Sequence, residues 1–164
     1  MRAIAFLLGS WVALAAVPAL AAAVGEPAPP FTLPGAGGRP IALDALRGKV
    51  VYVDFWASWC GPCRRSFPWM NGLQARYADE GLAIVAIDVD KRQEDALRFL
   101  LDTPASFPIA WDPGGDTPAA WGVQGMPSSY LIDRNGVIVA VEEGFHDERR
   151  AALEQRIRAL LRAR

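Results

Sequence analysis

Apolar residues along this chain recur with two different periods, which predict strands that alternate with helices. Residues 50–56 form an unbroken, largely β-branched apolar run, as expected of a strand buried on both faces of a sheet. Residues 84–89 predict a second buried strand. The segment between the two runs predicts a helix, with apolar residues at helical spacing and one proline that should kink it: Phe67, Met70, Leu73, Tyr77 and Pro68. The pattern therefore predicts a parallel β-α-β unit.

The segment before this unit predicts a short hairpin. Residues 31–33 and 40–43 are two apolar stretches on either side of a glycine-rich turn. Asp44 is placed to cap a single helical turn that ends at Gly48.

The segment after the unit predicts one helix, one helical turn and three strands. Residues 92–102 predict an amphipathic helix, residues 107–111 a short strand and residues 117–121 one helical turn. Residues 129–132 and 137–141 predict two strands that an Asn-Gly turn joins.

A final helix is expected from Asp147, a residue type that caps helices well. The two long helices of this half are expected to bury apolar side chains at helical spacing: Ala96, Leu97, Leu100 and Leu101 in one, and Leu153, Ile157, Leu160 and Leu161 in the other. Together the elements predict an α/β domain with a mixed central sheet, helices on both faces and an N-terminal β-hairpin.

The start of the chain has the pattern of an export signal. Arg2 supplies a positive charge, residues 3–17 are apolar without a charged side chain, and residues 19–21 offer the small-x-small pattern of a cleavage site. An uncleaved membrane anchor is the alternative, because the apolar stretch is just long enough to cross a bilayer. We therefore assign residues 1–23 to targeting and residues 24–164 to the folded domain. Both interpretations place that domain outside the cytoplasm, in the periplasm or an equivalent compartment.

Length and charge exclude several classes of partner. The chain has 164 residues, which suits one domain with a proper core. Its 17 basic and 18 acidic residues give a net charge of −1, so nothing favours nucleic acid or an anionic membrane surface as a partner.

The only two cysteines of the chain, Cys60 and Cys63, lie where the first buried strand ends and the next helix begins. A helix start directs unpaired N–H groups and its positive dipole end at its occupant, which favours the thiolate of Cys60. That thiolate attacks disulfides, and Cys63, one turn later and more buried, can resolve the mixed disulfide. Pro62 suits the first turn because it has no N–H to lose, and Gly61 leaves the sulfurs open to a partner chain. We therefore expect dithiol exchange, with Cys60 exposed.

Two other interpretations of the cysteine pair are weaker. A structural disulfide that closes so short a loop restricts the unfolded chain little. A structural zinc site needs about four ligands, whereas the chain has two cysteines and one distant histidine, His146. We therefore expect neither a metal site nor a cofactor.

The motif around the cysteines makes a family resemblance specific. Residues 53–63, Val-Asp-Phe-Trp-Ala-Ser-Trp-Cys-Gly-Pro-Cys, resemble the active-site signature of thioredoxins. Residues 29–49 and the extra segment at 91–123 are similar to the exported TlpA/ResA/CcmG-like thiol-disulfide oxidoreductases, and residues 125–133 resemble their cis-proline loop. The resemblance covers residues 25–161 and implies a thioredoxin fold with a central insertion.

The resemblance implies where a substrate binds. In the family the bond before the residue at Pro127 is cis and packs against the cysteines, which leaves the backbone of Met126 free to pair with an extended substrate segment. An ordinary trans proline in a turn is the alternative. Trp59 is expected in the apolar rim that partners touch, whereas Trp56 is as readily a core residue.

Asp54 is the one carboxyl group within the first apolar strand, where burial raises its pKa unless hydrogen bonds compensate. In thioredoxins the aspartate at this position relays the proton of the resolving cysteine; an aspartate that reaches solvent is the alternative. Relatives commonly have a glutamate where this chain has Ser66, and thioredoxins a lysine where it has Ala86. The resemblance thus implies that Asp54 does the acid–base work without a cationic partner.

These observations predict an exported protein-disulfide reductase whose dithiol is regenerated by a membrane electron donor. By resemblance, its targets are the haem-binding cysteines of apocytochrome c or a copper-site protein of respiratory oxidase assembly. One alternative is an oxidant or isomerase of exported proteins, because reduction potentials vary widely within this fold. Another is a copper-handling module that uses Cys60 and Cys63 as soft ligands.

Overall fold

The computed structural model describes residues 22–163, so the predicted targeting segment lies outside the described residues except for its last two positions. Within residues 22–163, no helix combines the length and apolar character needed to cross a bilayer. The elements follow one another as β1 (Thr32–Leu33), β2 (Ile41–Ala42), a 3₁₀ helix (Leu43–Leu46), β3 (Val50–Trp56), α1 (Cys63–Tyr77), β4 (Leu82–Asp88), α2 (Gln93–Asp102), β5 (Ile109–Trp111), α3 (Asp116–Ala120), β6 (Ser128–Ile132), β7 (Ile138–Glu143), a second 3₁₀ helix (Asp147–Arg149) and α4 (Arg150–Arg162).

Five strands form the central sheet in the order β5-β4-β3-β6-β7. β3 and β4 pair in parallel, as do β4 and β5, because α1 and α2 cross over between them. β6 is antiparallel to both β3 and β7, and β1 pairs with β2 in a separate hairpin. The mixed sheet and the N-terminal hairpin predicted from the sequence are confirmed.

All seven residues of β3 are buried, and its side chains alternate between two cores. Val50, Tyr52 and Trp56 pack with side chains of α1, α2 and α4. On the other face, the remaining apolar residues of the strand pack with Phe31 and with side chains of the first 3₁₀ helix and the end of α3. Helices therefore cover both faces, as predicted.

Residues 25–36, which include β1, cross the second face and contact both edge strands of the central sheet. The N–H of Gly25 donates to the carbonyl of Ile138 in β7 (2.8 Å), and the N–H of Ala36 donates to the carbonyl of Ile109 in β5 (2.9 Å). This N-terminal segment thereby covers the second core cluster, to which its Ala28 and Phe31 belong.

The predicted buried face of α2 is partly wrong. Leu97 is 48 % exposed and Leu101 is 82 % exposed, whereas Ala96 and Phe99 are buried. The ring of Phe99 lies 4.7 Å from that of Trp56, between centroids, so the large aromatic side chain determines how the helix is rotated. In α4 the buried side chains are Leu153, Ile157 and Leu161, as predicted, while Leu160 is only half-buried.

The predicted caps at Asp44 and Asp147 are also wrong. Neither aspartate occupies a cap position, and the cap residues that precede the two 3₁₀ helices make no side-chain cap hydrogen bond. Each carboxylate instead forms an ion pair with an arginine three residues later, Asp44 with Arg47 (3.5 Å) and Asp147 with Arg150 (3.2 Å).

Candidate active site

Cys60 and Cys63 are joined by a disulfide, with their Cα atoms 5.4 Å apart. The backbone of Pro62 already has helical dihedrals (φ −60°, ψ −26°), so α1 begins at Cys63 directly after it. The N–H of Cys63 donates to the Sγ of Cys60 at 3.2 Å. The first N–H of the helix therefore points at the sulfur that would carry negative charge in the reduced protein.

The cysteine predicted to be exposed is buried in this disulfide-bonded state. Cys60 is 3 % exposed and Cys63 is fully buried, because the sulfur of Cys60 turns inward to bond with that of Cys63. Trp59, the residue before Cys60, is 69 % exposed and supplies the apolar surface beside the disulfide.

Asp54 shares the face of β3 with Tyr52 and Trp56, and both cysteines belong to the core cluster on that face. It is fully buried, so the alternative of an aspartate that reaches solvent is wrong. The O–H of Ser129 donates to its Oδ1 at 2.6 Å, and among the described residues nothing donates to Oδ2. Burial raises the pKa of Asp54 to about 7, and the hydrogen bond from Ser129 opposes this with a smaller effect.

The neighbouring strand and helix offer Asp54 no charged partner. Ala86 is directly opposite Asp54 in the β3–β4 register, at the place where thioredoxins carry a lysine. The hydroxyl of Ser66 is buried and donates to the carbonyl of Cys63 at 3.2 Å. The side chain at position 66 therefore forms a hydrogen bond with the helix backbone and supplies neither an acid nor a base.

The loop before β6 lies at the same end of the central strands as the cysteines. Ser128 pairs with Phe55 in the antiparallel register, so residues just before β6 lie where β3 leads into the cysteine loop. The Met126–Pro127 peptide bond is cis. Met126 packs against the core cluster that contains both cysteines, and its loop lines an open groove of about 270 Å³.

Besides Asp54, two buried carboxyl groups near the cysteine loop, Asp88 and Asp90, were not predicted from the sequence. Asp90 accepts hydrogen bonds from the N–H (2.7 Å) and the O–H (3.0 Å) of Ser58, two residues before Cys60. Asp88 ends β4, and its burial, followed by its hydrogen bond to Asp90, raises its pKa to about 8. The signal was an Asp-x-Asp at the end of a buried strand, which places both carboxyl groups on one side. Asp90 thereby positions the loop that leads to Cys60.

Comparison with known proteins assigns this site to a family. Residues 23–157 match the family model described as Redoxin. The chain belongs to the Redoxin family.

Individual relatives point to the same chemistry. The chain is 35 % identical over 121 residues to the thiol-disulfide oxidoreductase ResA of Bacillus thuringiensis subsp. konkukian, covering 74 % of this chain and 70 % of that protein. It is 37 % identical over 124 residues to ResA of Geobacillus thermodenitrificans, covering 76 % and 71 %. A crystal structure from Chlorobium tepidum, described as a thiol:disulfide interchange protein DsbE, superimposes with a TM-score of 0.82 and 51 % identity over 85 % of this chain and 98 % of that one.

These similarities confirm the thioredoxin fold and the resemblance to ResA/CcmG-like proteins. The protein is a thiol-disulfide oxidoreductase, and protein disulfides are its class of substrate.

Proposed function

We propose that the protein acts outside the cytoplasm, in the periplasm or a similar compartment, as a disulfide reductant. The observation that carries the proposal is the Cys60–Cys63 pair at the start of α1, on the face of β3 that also carries the buried carboxyl group of Asp54. Such an arrangement supplies a nucleophile, a resolving thiol and a proton acceptor within one layer of the core. The predicted signal or anchor at residues 1–23 supports the location.

In the reductive half of the cycle, the Cys60 thiolate attacks one sulfur of a target disulfide, and the other target sulfur leaves with the electron pair. The N–H of Cys63, which points at the Cys60 sulfur, stabilises that thiolate. Cys63 then attacks the Cys60 sulfur of the mixed disulfide, which releases the reduced target and closes the internal disulfide.

Asp54 is the proton acceptor of the second step in this proposal. Cys63 is buried and must lose its proton before it attacks, and Asp54 is a fully buried carboxyl group on the face of β3 that carries the core cluster of both cysteines. A carboxyl group whose pKa is about 7 exchanges protons most effectively near neutral pH.

The substrate surface is formed by two loops, one after β3 and one before β6, at the same end of these central strands. Trp59, Gly61 and Pro62 flank the disulfide, and Gly61 has open space where a side chain would be. The backbone of Met126, which precedes Pro127 and lies outside β6, is available to pair with an extended substrate segment. A target strand can therefore lie across Cys60 between these loops.

The Gly-Pro dipeptide between the cysteines supports the reducing direction, because thioredoxin, with its reduction potential of about −270 mV, lies at the reducing end of the fold. We propose apocytochrome c or a copper-site protein as targets, and a membrane electron donor that regenerates the dithiol. These partners follow from the resemblance to the TlpA/ResA/CcmG-like proteins.

The roles of the two sulfurs are tested by trapping. Cys63→Ser should accumulate mixed disulfides with target proteins, because the nucleophile remains while the resolving thiol is gone. Cys60→Ser should abolish disulfide reduction and trap nothing. Non-reducing gels of both variants, made in cells that export the protein, measure the outcome, and trapping by Cys60→Ser alone would reverse the two assignments.

The direction of the reaction is tested on the parent protein by equilibration with glutathione buffers. A reduction potential close to that of thioredoxin, about −270 mV, supports a reductant, whereas a potential near the DsbA value of about −120 mV supports the oxidant. Metal analysis of the same sample separates the copper-handling alternative, which requires stoichiometric copper on the reduced dithiol.

A further inference from the structure

Asp54 belongs to a row of paired residues that runs across the sheet to its edge. Asp54 is opposite Ser129 in the β3–β6 register, and Ser129 is opposite Glu142 in the β6–β7 register. Residues opposite one another share a face, and neighbouring strands are about 4.8 Å apart. The row therefore leads in two steps from a fully buried carboxyl group to Glu142, whose side chain is 22 % exposed.

Ser129 joins the two ends of this row. Its hydroxyl contacts Asp54 Oδ1 at 2.6 Å, and Ser129 and Glu142 both line a cavity of about 20 Å³. A water molecule needs roughly 10–15 Å³ measured in this way, so the cavity can hold one. Arg149 also lines the cavity and donates to Glu142 Oε2 at 3.3 Å. The lining thus includes the buried serine and two side chains that reach solvent, Glu142 and Arg149.

In the opposite direction along the row, towards β4 and β5, no side chain can accept a proton. Beyond Asp54 the row continues with Ala86 in β4 and Ile109 in β5, both buried and apolar. The proton that Asp54 takes up must therefore leave towards Ser129 if it moves along the sheet.

We infer that Ser129 relays the proton of Asp54 and that the cavity beside Glu142 is its exit to solvent. The inference rests on the proposed function, in which Asp54 accepts the proton of Cys63. As the Cys63 sulfur bonds to that of Cys60, the target sulfur leaves as a thiolate with the electron pair. Asp54 gives its proton to Ser129 Oγ while the serine's own proton passes to water in the cavity. The released thiolate takes up a proton from solvent, so the balance is closed.

The ionisable groups around this path belong to several elements. Burial, and then the negative charge of Asp54, raise the pKa of Tyr52 far above its usual range, so Tyr52 stays neutral. The ionisable groups on the same face or around the cavity in the other elements are Cys60 and Cys63 near the start of α1, Asp88 at the end of β4, Glu142 in β7, His146 and Arg149 in and before the second 3₁₀ helix, and Arg150 at the start of α4.

Two matched substitutions of Ser129 test the relay. Ser129→Thr keeps a hydroxyl, whereas Ser129→Val has the same shape without one, so both add equal bulk to the strand. The reduced protein, in excess, is mixed with the chromogenic disulfide dithiobis-nitrobenzoate. One thionitrobenzoate is released when Cys60 attacks and a second, at a rate independent of protein concentration, when Cys63 resolves the mixed disulfide.

The valine variant should resolve mixed disulfides at least about tenfold more slowly than the threonine variant, a smaller loss than the roughly 10²–10⁴-fold contribution of a direct acid or base. The rate of the first phase, in which Cys60 attacks, should be the same in both variants. Ser129→Val also loses the hydrogen bond to Asp54, which raises the pKa of Asp54. That shift moves the inflection in a plot of resolution rate against pH, but it leaves the upper plateau of the rate unchanged. A lower plateau for valine supports the relay, and equal plateaus overturn it.

Glu142→Gln tests the exit, because it removes the negative charge that favours a proton in the cavity while it keeps both the shape and a hydrogen bond to Arg149. It should slow the resolution phase several-fold, while Glu148→Gln, at a side chain that is 75 % exposed, should not change it. An unchanged rate in Glu142→Gln would overturn the exit at this edge. If the parent protein itself showed no second phase, the proposed function would fail, which is a different result from equal valine and threonine variants.

Discussion

The two faces of β3 do different work although every residue of the strand is buried. On one face, Phe55 packs in a cluster of aromatic rings with Trp121 (5.5 Å between centroids) and Tyr130 (5.9 Å). The hydroxyl of Tyr130 donates to the carbonyl of Trp121 at 2.9 Å, so its polar group is satisfied. On the other face, which carries the core cluster of both cysteines, Asp54 is a buried carboxyl group with one hydrogen-bond donor.

The difference shows how one strand can both stabilise a fold and carry reactive groups. The aromatic face contributes apolar burial without an ionisable carboxyl group, whereas the face with Asp54 includes a group that opposes folding when it is charged. Because side chains alternate along the strand, each face can change without direct contact with the other. Substitutions on the two faces should therefore separate stability from reactivity.

The largest expected effect comes from two phenylalanines that are both fully buried on opposite faces, Phe55 and Phe67. Replacement of either by alanine should lower the free energy of unfolding by about 3–5 kcal/mol, because each leaves a cavity in a packed core. Only Phe67→Ala should also change exchange kinetics, since Phe67 belongs to α1, which carries Cys63, and its ring contacts that of Trp56 (4.9 Å between centroids).

Urea unfolding and single-turnover exchange, measured under conditions where both variants stay folded, test this contrast. If Phe55→Ala slowed disulfide exchange as much as Phe67→Ala does, the two faces of β3 would be coupled.

Asp54→Asn should have the next largest effect, and its sign depends on pH. Burial raises the pKa of Asp54 from 3.8 to about 7, so between these values the folded protein binds more protons than the unfolded chain. Stability therefore falls as pH rises through this window and stays low above it. Asp54→Asn removes the ionisation and should be more stable than the parent above pH 7, by up to roughly 4 kcal/mol at about 1.4 kcal/mol per pKa unit.

The same variant should resolve mixed disulfides about a hundredfold more slowly, because Cys63 loses its proton acceptor. Urea titrations across pH and stopped-flow exchange measure the two effects. Asp44→Asn, at a side chain that is 73 % exposed, is the control and should change neither. A parent protein whose stability does not decline between pH 4 and 7 relative to Asp54→Asn would contradict the buried charge.

Much of this arrangement follows from local sequence patterns. The buried strand β3, the β6–β7 hairpin and the position of Cys60 and Cys63 at a helix start are all specified by residues within a few positions of one another. The rotation of α2 is different: Phe99 packs on Trp56, which lies 43 positions earlier, and this contact outweighs the apolar spacing of Leu97 and Leu101.

The surroundings of Asp54 could be predicted only in part. Its burial follows from the apolar run around it, but its hydrogen bond comes from Ser129, 75 positions away. That partner depends on the register between β3 and β6, which the hydrophobic pattern does not define to one residue. The same holds for the contact of Asp90 with Ser58, which requires the end of β4 to lie beside the cysteine loop.

The smallest expected effect on stability is at the rim of the reactive face. Trp59→Ala should change the free energy of unfolding by less than about 0.5 kcal/mol, because its side chain is 69 % exposed. Its ring is nevertheless the apolar surface beside Cys60, so loss of the ring should raise KM for a protein disulfide several-fold and leave the reaction with a small disulfide unchanged. Leu101→Ala is the matched control, since Leu101 is 82 % exposed on α2 and away from the disulfide loop in sequence. Steady-state kinetics with both substrates decide the matter: if the two variants weaken the protein reaction equally, Trp59 contributes only general surface hydrophobicity, and the substrate contact assigned to it is wrong.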